Sequence, residues 1–327
     1  KLLLPIAQIH ALPPQLLVVP DGVLGYLPFD ALLTEQVRAQ NYGQYYHYPY
    51  LLRQHQLSYT YSATLLQRMN TMVIAPEHQS VLAFAPSFGH GFATASERGS
   101  IFDERMGLSP LLHNQRETAA IHQLLGGKNI YGTTATKQRF LDLARQYSYL
   151  HLSSHARMND EQSDYSYIAF TQHSNTTLDK AQLLFVRELY NTPLQAEMVV
   201  LSACETALGK LHKGEGIMSL ARAFSYAGTR SVITTLWRVN DQATADLMIS
   251  FYAHLQAGKS KDEALWLAKK ALLTEGVQPH PYYWAGFVPI GNMQALDSNS
   301  TLNYWRCYMF GLVGLIGLCF VIWRFFR

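Results

Sequence analysis

Cysteine is nearly absent: three occur in 327 residues, and two of them, Cys307 and Cys319, fall in an apolar stretch within the last 21 positions. Cys204 therefore stands alone in the rest of the chain, which excludes a disulfide framework there and suits a reducing compartment. A lone thiol is either a small apolar core residue or a nucleophile. Charge is also sparse, at 15% of residues, with 26 basic and 23 acidic side chains scattered and no Lys/Arg stripe of the kind a phosphate backbone requires. That excludes nucleic acid as a direct ligand. No repeat of about 20 to 50 residues is present, so a solenoid is not encoded in this segment. A secretory leader pattern is missing at the start, and Lys1 in place of Met leads to the expectation that the sequence is a piece of a longer polypeptide.

What the sequence has in quantity is hydrophobic residues, 48% of the total, enough for a sizeable core. LLVV at 16–19 and VLAFA at 81–85 predict strands buried on both faces. Between them, PDGVLGYLPFDALL reads as a turn leading into a short helix, and a strand near 57–60 precedes a helix through about residue 70 that Ser62 caps. From 86 to about 112 the Gly, Ser and charge content predicts a long loop. Helices and strands then alternate: helix 116–125, strand 129–131, helix 137–146, strand 149–153, a polar loop, strand 198–202, helix 215–226 stopped by Gly228, strand 231–236. Two helices follow, 243–256 stopped by Gly258, and 262–273 opened by a Ser260/Glu263 capping box. This order predicts an α/β fold with a mostly parallel sheet covered on both faces.

The polar stretch 293–303 reads as a linker, and residues 307–323 carry no charge. At ~1.5 Å per residue that run covers roughly 25 Å. With Tyr304, Trp305, Phe325 and Phe326 extending it and Arg306, Arg324 and Arg327 at its flanks, a single transmembrane helix over 304–326 is predicted. Basic residues at both ends leave its orientation open.

A thiol with an ordinary pKa of about 8.5 needs a neighbouring base to act as a nucleophile at neutral pH. Cys204 follows MVVLSA and His155 follows YLHLSS, so each stands just beyond the carboxyl end of a predicted buried strand, where open parallel sheets form their ligand crevice. Thirteen histidines offer many chance pairings, so this alone is weak. His151, in the strand itself, reads as a core or supporting histidine. A metal site is not expected, because on a strand His151 and His155 lie over about 12 Å apart at ~3.3 Å per residue and no third ligand is evident. The glycines at 209, 214 and 216 lack the P-loop spacing with Lys and Ser/Thr, and no cofactor is predicted.

YLHLSSHA at 149–156, LSACETALG at 201–209, GEGIMSLARAFSYAGTRSVITTLW at 214–237, VND at 239–241 and the ALWLAKKAL helix, with LLVVPDGVLGYLPFDALL and LSYTYSATLL earlier, resemble the CHAT family of caspase-like peptidases, relatives of caspases and separase. The resemblance implies a caspase-like three-layer α/β/α domain over 1–292 with a catalytic part at about 116–292. It implies Cys204 as nucleophile and His155 as general base and later acid, with the backbone N–H groups of Ala156 and Cys204 as the oxyanion hole. Ala156 stands where the family commonly has Gly, and Ala207 likewise; both changes keep every reacting group. Glu205 and Thr206 read as turn caps or, alternatively, as residues that orient the loop or substrate. Arg238 and Asp241 fall in the region that lines the first substrate-specificity pocket, one favouring an acidic and the other a basic side chain, which leaves the sign open; they read equally as a surface pair or helix cap.

The expected activity is that of a cysteine endopeptidase acting on a protein substrate, held at a membrane as a single-pass protein with the peptidase domain cytoplasmic. Bacterial relatives often join such domains to helical repeats or defence systems, some acting on gasdermin-like proteins, so an upstream helical-repeat region and a gasdermin-like or other defence target are implied by resemblance. The alternative is a non-catalytic scaffold that keeps the fold for protein binding.

Overall fold

The computed structural model describes Leu3 and residues 11–74, 78–89, 108–159, 162–173, 178–202, 216–274 and 278–296. Eight strands form the main sheet: β1 (Gln15–Val18), β2 (Gln56–Tyr59), β3 (His78–Pro86), β4 (Gly127–Gly132), β5 (Tyr147–Leu152), β9 (Met198–Leu201), β10 (Ser231–Thr235) and β11 (Phe287–Gly291). A second sheet holds β6 (Ala156–Arg157), β7 (Tyr167–Ala169) and β8 (Leu183–Phe185). The helices are α1 (Ala63–Thr71), α2 (Asn114–Leu125), α3 (Lys137–Leu143), α4 (Val186–Leu189), α5 (Gly216–Tyr226), α6 (Asp241–Gln256) and α7 (Lys261–Thr274).

The main sheet runs β1-β2-β11-β10-β9-β5-β3-β4, and every neighbouring pair is parallel except β10 with β11. β10, β9, β5, β3 and β4 therefore share one direction, and their carboxyl ends form a common rim. Along β9 the side chains alternate: Met198 and Val200 enter the core beneath α2, α6 and α7, while Val199 and Leu201 enter the core shared with Phe140 of α3, Val186 of α4 and Phe224 of α5. Both faces are covered, which yields the three-layer α/β/α arrangement and explains why the central strands read as unbroken apolar runs.

Local chemistry sets the helix ends. Ser62 Oγ accepts from Leu65 N at 3.1 Å and Asn240 Oδ1 from Ala243 N at 3.1 Å. Gly228 follows α5 with φ +105°, and a Cβ there would collide with the Leu194 carbonyl oxygen. The capping box at α7 takes another form: Ser260 Oγ accepts from Glu263 N at 3.4 Å, but the Glu263 carboxylate pairs with Lys259 at 2.8 Å.

Two expectations change, and one strand, β11, had none. The 16–19 run is not buried on both faces; β1 is an edge strand bonded to β2 alone, with Leu17 exposed, because a short apolar run carries no period that tells an edge from a centre. The polar loop after residue 153 contains the whole second sheet, whose strands of two or three residues fall below any readable alternation. β11 was hidden by Pro289, a residue that argues against an interior strand. Asn292 N–Arg230 O (2.9 Å) and Leu236 N–Gly286 O (2.8 Å) bracket the β10–β11 ladder, so Pro289 occupies a position whose missing N–H that ladder does not use.

Charges inside the fold are paired. Lys269 on α7, 2% exposed, donates to Asp30 Oδ2 at 2.6 Å and to the Phe287 carbonyl at 2.5 Å. At the amino-terminal rim Lys261 and Arg230 both reach Glu197, at 2.5 and 2.9 Å. Among the described residues no helix is long and apolar enough to cross a membrane; the expected transmembrane helix lies outside them.

Removing one partner of a buried pair strands the other charge. Lys269→Met is expected to destabilise the protein by about 3 to 5 kcal/mol in urea unfolding, and adding Asp30→Asn is expected to recover part of that loss.

Candidate functional site

β5 and β9 are neighbours, with Tyr149 opposite Met198 and Leu152 opposite Leu201. Beyond the last pair, Ser202 N donates to Leu152 O at 3.1 Å and Ser153 N donates to Phe84 O at 2.9 Å, so both chains leave the sheet at the same rim. Cys204, Glu205, Thr206, Ala207, Gly209 and Gly214 lie outside the described residues.

His155 does not. It is 2% exposed, its ring meets Phe88 edge-on at 4.6 Å, and Nε2 lies 2.7 Å from the Ser109 carbonyl. A carbonyl oxygen only accepts, so Nε2 carries a proton, and in the neutral ring Nδ1 is then the basic nitrogen. The arrangement fixes the tautomer, with the proton on Nε2 and the lone pair on Nδ1.

Ala156 opens β6, the edge strand of the second sheet. Ala169 N donates to His155 O at 2.8 Å, which makes 155/169 a bonded pair and 156/168 the following non-bonded one. The Ala156 N–H therefore points away from β7, off the ladder. Ser154 Oγ donates to the Ala169 carbonyl and holds the same turn from its other side.

Arg238 and Asp241 stand beyond β10, where they border Ser109 and His113. Arg238, exposed, donates from Nη2 to Ser109 Oγ at 3.3 Å, and Asp241 Oδ2 accepts from His113 N at 2.7 Å. Both thus meet the segment whose Ser109 carbonyl orients His155. Sequence reading missed Ser109 entirely, since a carbonyl acts without any side-chain signature.

It also missed a buried polar group beneath the rim. His151, fully buried, places Nε2 2.8 Å from Glu117 Oε1 and Nδ1 3.1 Å from the Tyr252 hydroxyl. Glu117 Oε2 accepts from Ser153 Oγ at 2.8 Å. The reading of His151 as a supporting residue agrees with this geometry. A signal existed: residues 114, 117, 118 and 121 form the buried stripe of α2, and three of those four are polar. Burial, reinforced by the negative Glu117 nearby, holds the Tyr252 hydroxyl well above the usual tyrosine range. Ser202 Oγ and Thr235 Oγ1, at the ends of β9 and β10, are buried without a hydrogen-bond partner among the described residues. Among those residues no group of three or more His, Cys, Asp or Glu could hold a metal ion.

The class is an α/β/α domain whose mostly parallel sheet brings a buried, tautomer-fixed imidazole to the carboxyl rim beside the strand that leads to Cys204. The chain belongs to the CHAT domain family, whose family model matches residues 1–292. It is similar to tetratricopeptide repeat protein 28 of Mus musculus, 26% identical over 227 residues, and to that of Homo sapiens, 25% over 222; each match covers 59% of this chain and 9% of the relative. The chain thus spans under a tenth of the length of these relatives. Among solved structures it is similar to the Arg specific cysteine proteinase gingipain R (TM-score 0.46, 10% identity, 74% of this chain and 55% of that one). It is similar also to the Saccharomyces cerevisiae separase-securin complex (TM-score 0.48, 13% identity, 84% and 15%).

Tyr252 and Tyr59 both have hydroxyl pKa values raised by burial, so their folded forms keep protons that the unfolded chain loses near pH 10. Their contribution is complete below about pH 10 and is lost as pH rises from there toward the folded values. Urea unfolding between about pH 9 and about pH 11 should show stability falling with pH, by up to about 1.4 kcal/mol per pH unit for each such tyrosine. Tyr252→Phe should make that slope shallower.

Proposed function

We propose that this domain is a cysteine endopeptidase in which Cys204 attacks a peptide bond and His155 serves as base and then acid. The observation that carries the reading is the register of β5 and β9. Leu152 is opposite Leu201, and His155 and Cys204 each follow three residues later in the chain, so the two candidate groups belong to adjacent strand exits on one rim. The fixed tautomer of His155 supports it, since a ring protonated at Nε2 carries its basic lone pair on Nδ1.

In the proposed reaction the Cys204 thiol gives its proton to His155 Nδ1 and the thiolate adds to the scissile carbonyl. The resulting oxyanion is held by the N–H groups of Ala156 and Cys204; the off-ladder direction of the Ala156 N–H supports that role, and one such donor accounts for about 10²- to 10³-fold in rate. The imidazolium then protonates the leaving amine as the tetrahedral intermediate collapses to a thioester. Water, deprotonated by Nδ1, hydrolyses the thioester and restores the thiol.

For substrate preference, Asp241 Oδ2 accepts from His113 N at the first turn of α6, and Arg238, exposed, donates to Ser109 Oγ. An exposed cation at that place favours an acidic side chain before the scissile bond. The substrate is a protein. The relatives' names support an adjoining helical-repeat region in the same polypeptide, and the uncharged run at 307–323 supports tethering to a bilayer as a single-pass protein.

Iodoacetamide near pH 6.5 is expected to label Cys204 at least about tenfold faster than a model thiol, and His155→Ala to remove that advantage. Cys204→Ala should abolish new termini generated in cells by the wild-type chain. Labelling at the model-thiol rate whether or not His155 is present, with no new termini, would favour the scaffold reading.

A further inference from the structure

Glu117 has no part in the proposed chemistry, yet it is a fully buried carboxylate directed at the strand that delivers His155. Its oxygens take Ser153 Oγ and His151 Nε2, both at 2.8 Å, and these two side chains lie on the last turn of pleat before the chain leaves β5. One helical turn earlier, Asn114 Nδ2 donates to Pro86 O at 2.9 Å and to Ser153 O at 3.5 Å, so α2 grips Ser153 by side chain and by backbone. On the far side the second sheet takes hold of Ser154 Oγ and the His155 carbonyl.

Ser153 O–H donates to Glu117 Oε2, His151 Nε2 meets Oε1, and the Tyr252 hydroxyl, held neutral by burial, meets His151 Nδ1. A buried carboxyl group with a fixed partner on each oxygen is a stiff anchor, because moving either partner leaves a polar oxygen uncompensated. The backbone of residues 153–155 is thus clamped between α2 and β7, and the imidazole hangs from that clamp by two rotatable bonds.

We propose that Glu117, acting through Ser153, is a positioning residue that sets the place of the His155 imidazole; the catalytic consequence rests on the peptidase reading above. A displacement of about 1 Å in a reacting group costs about 10²-fold, so loss of the Ser153 hydroxyl, which leaves the Asn114 and β7 contacts in place, should have a smaller effect of about tenfold.

The test compares Ser153→Ala, Glu117→Gln and Ser153→Thr in the full chain, reading three quantities: the unfolding midpoint, the imidazole nitrogen resonances of His155, and the iodoacetamide rate at Cys204. Ser153→Ala is expected to stay folded, to shift the His155 resonances, and to lose about tenfold of the His155-dependent labelling rate. Placed on His155→Ala it should add nothing, because both act through one imidazole. Ser153→Thr, which restores the hydroxyl, should return the rate to within about twofold. Wild-type His155 resonances and labelling in folded Ser153→Ala and Glu117→Gln proteins would overturn the proposal. Should the resonances shift while His155→Ala leaves labelling unchanged, the positional link holds and the peptidase reading fails.

Discussion

The parallel pairing of β5 with β9 is the constraint on which the site depends. Both strands are buried on both faces, so a slip of one residue in β9 would turn Met198 and Val200 into the opposite core, and one in β5 would drive His151 away from Glu117. Register is therefore fixed by the same packing that stabilises the domain. Because the two exits leave the sheet level with one another, the chemistry proposed for them is a consequence of core packing.

Around that constraint the fold uses buried polar anchors at chosen points. Lys269 with Asp30 ties α7 to the amino-terminal half, and Glu197 with Lys261 and Arg230 ties β9 and β10 to α7 at the rim opposite His155. Replacing such pairs by apolar residues would often be neutral for stability, whereas removing one partner strands a buried charge. The Glu117 group has the same character but stands at the chemical rim, and its bonds run to the residues that lead into His155.

The segment around Ser109 shows how one stretch of chain serves two neighbours. Its carbonyl fixes the tautomer of His155, while its side chain meets Arg238 and the nearby His113 N–H meets Asp241. A substrate side chain engaging Arg238 would thus bear on the element that orients the base. On the proposed reading, substrate preference and base geometry would be coupled through this one short segment.

Much of this was legible in residue order alone. The alternation of helix and strand from 116 onward, the cap at Ser62, and the placing of His155 just after a buried strand rest on periodicity, turn chemistry and motif spacing, which are local properties of the chain. Strand order, the edge position of β1, the antiparallel β11 and the whole second sheet were settled only by tertiary structure. So were the long-range polar pairs: at the site Glu117 meets His151 across 34 positions and Ser109 meets His155 across 46, and in the fold Asp30 meets Lys269 across 239. The physical reason is that a hydrogen bond between distant positions leaves no periodic trace at either end. A backbone carbonyl such as that of Ser109 leaves no trace in residue identity at all.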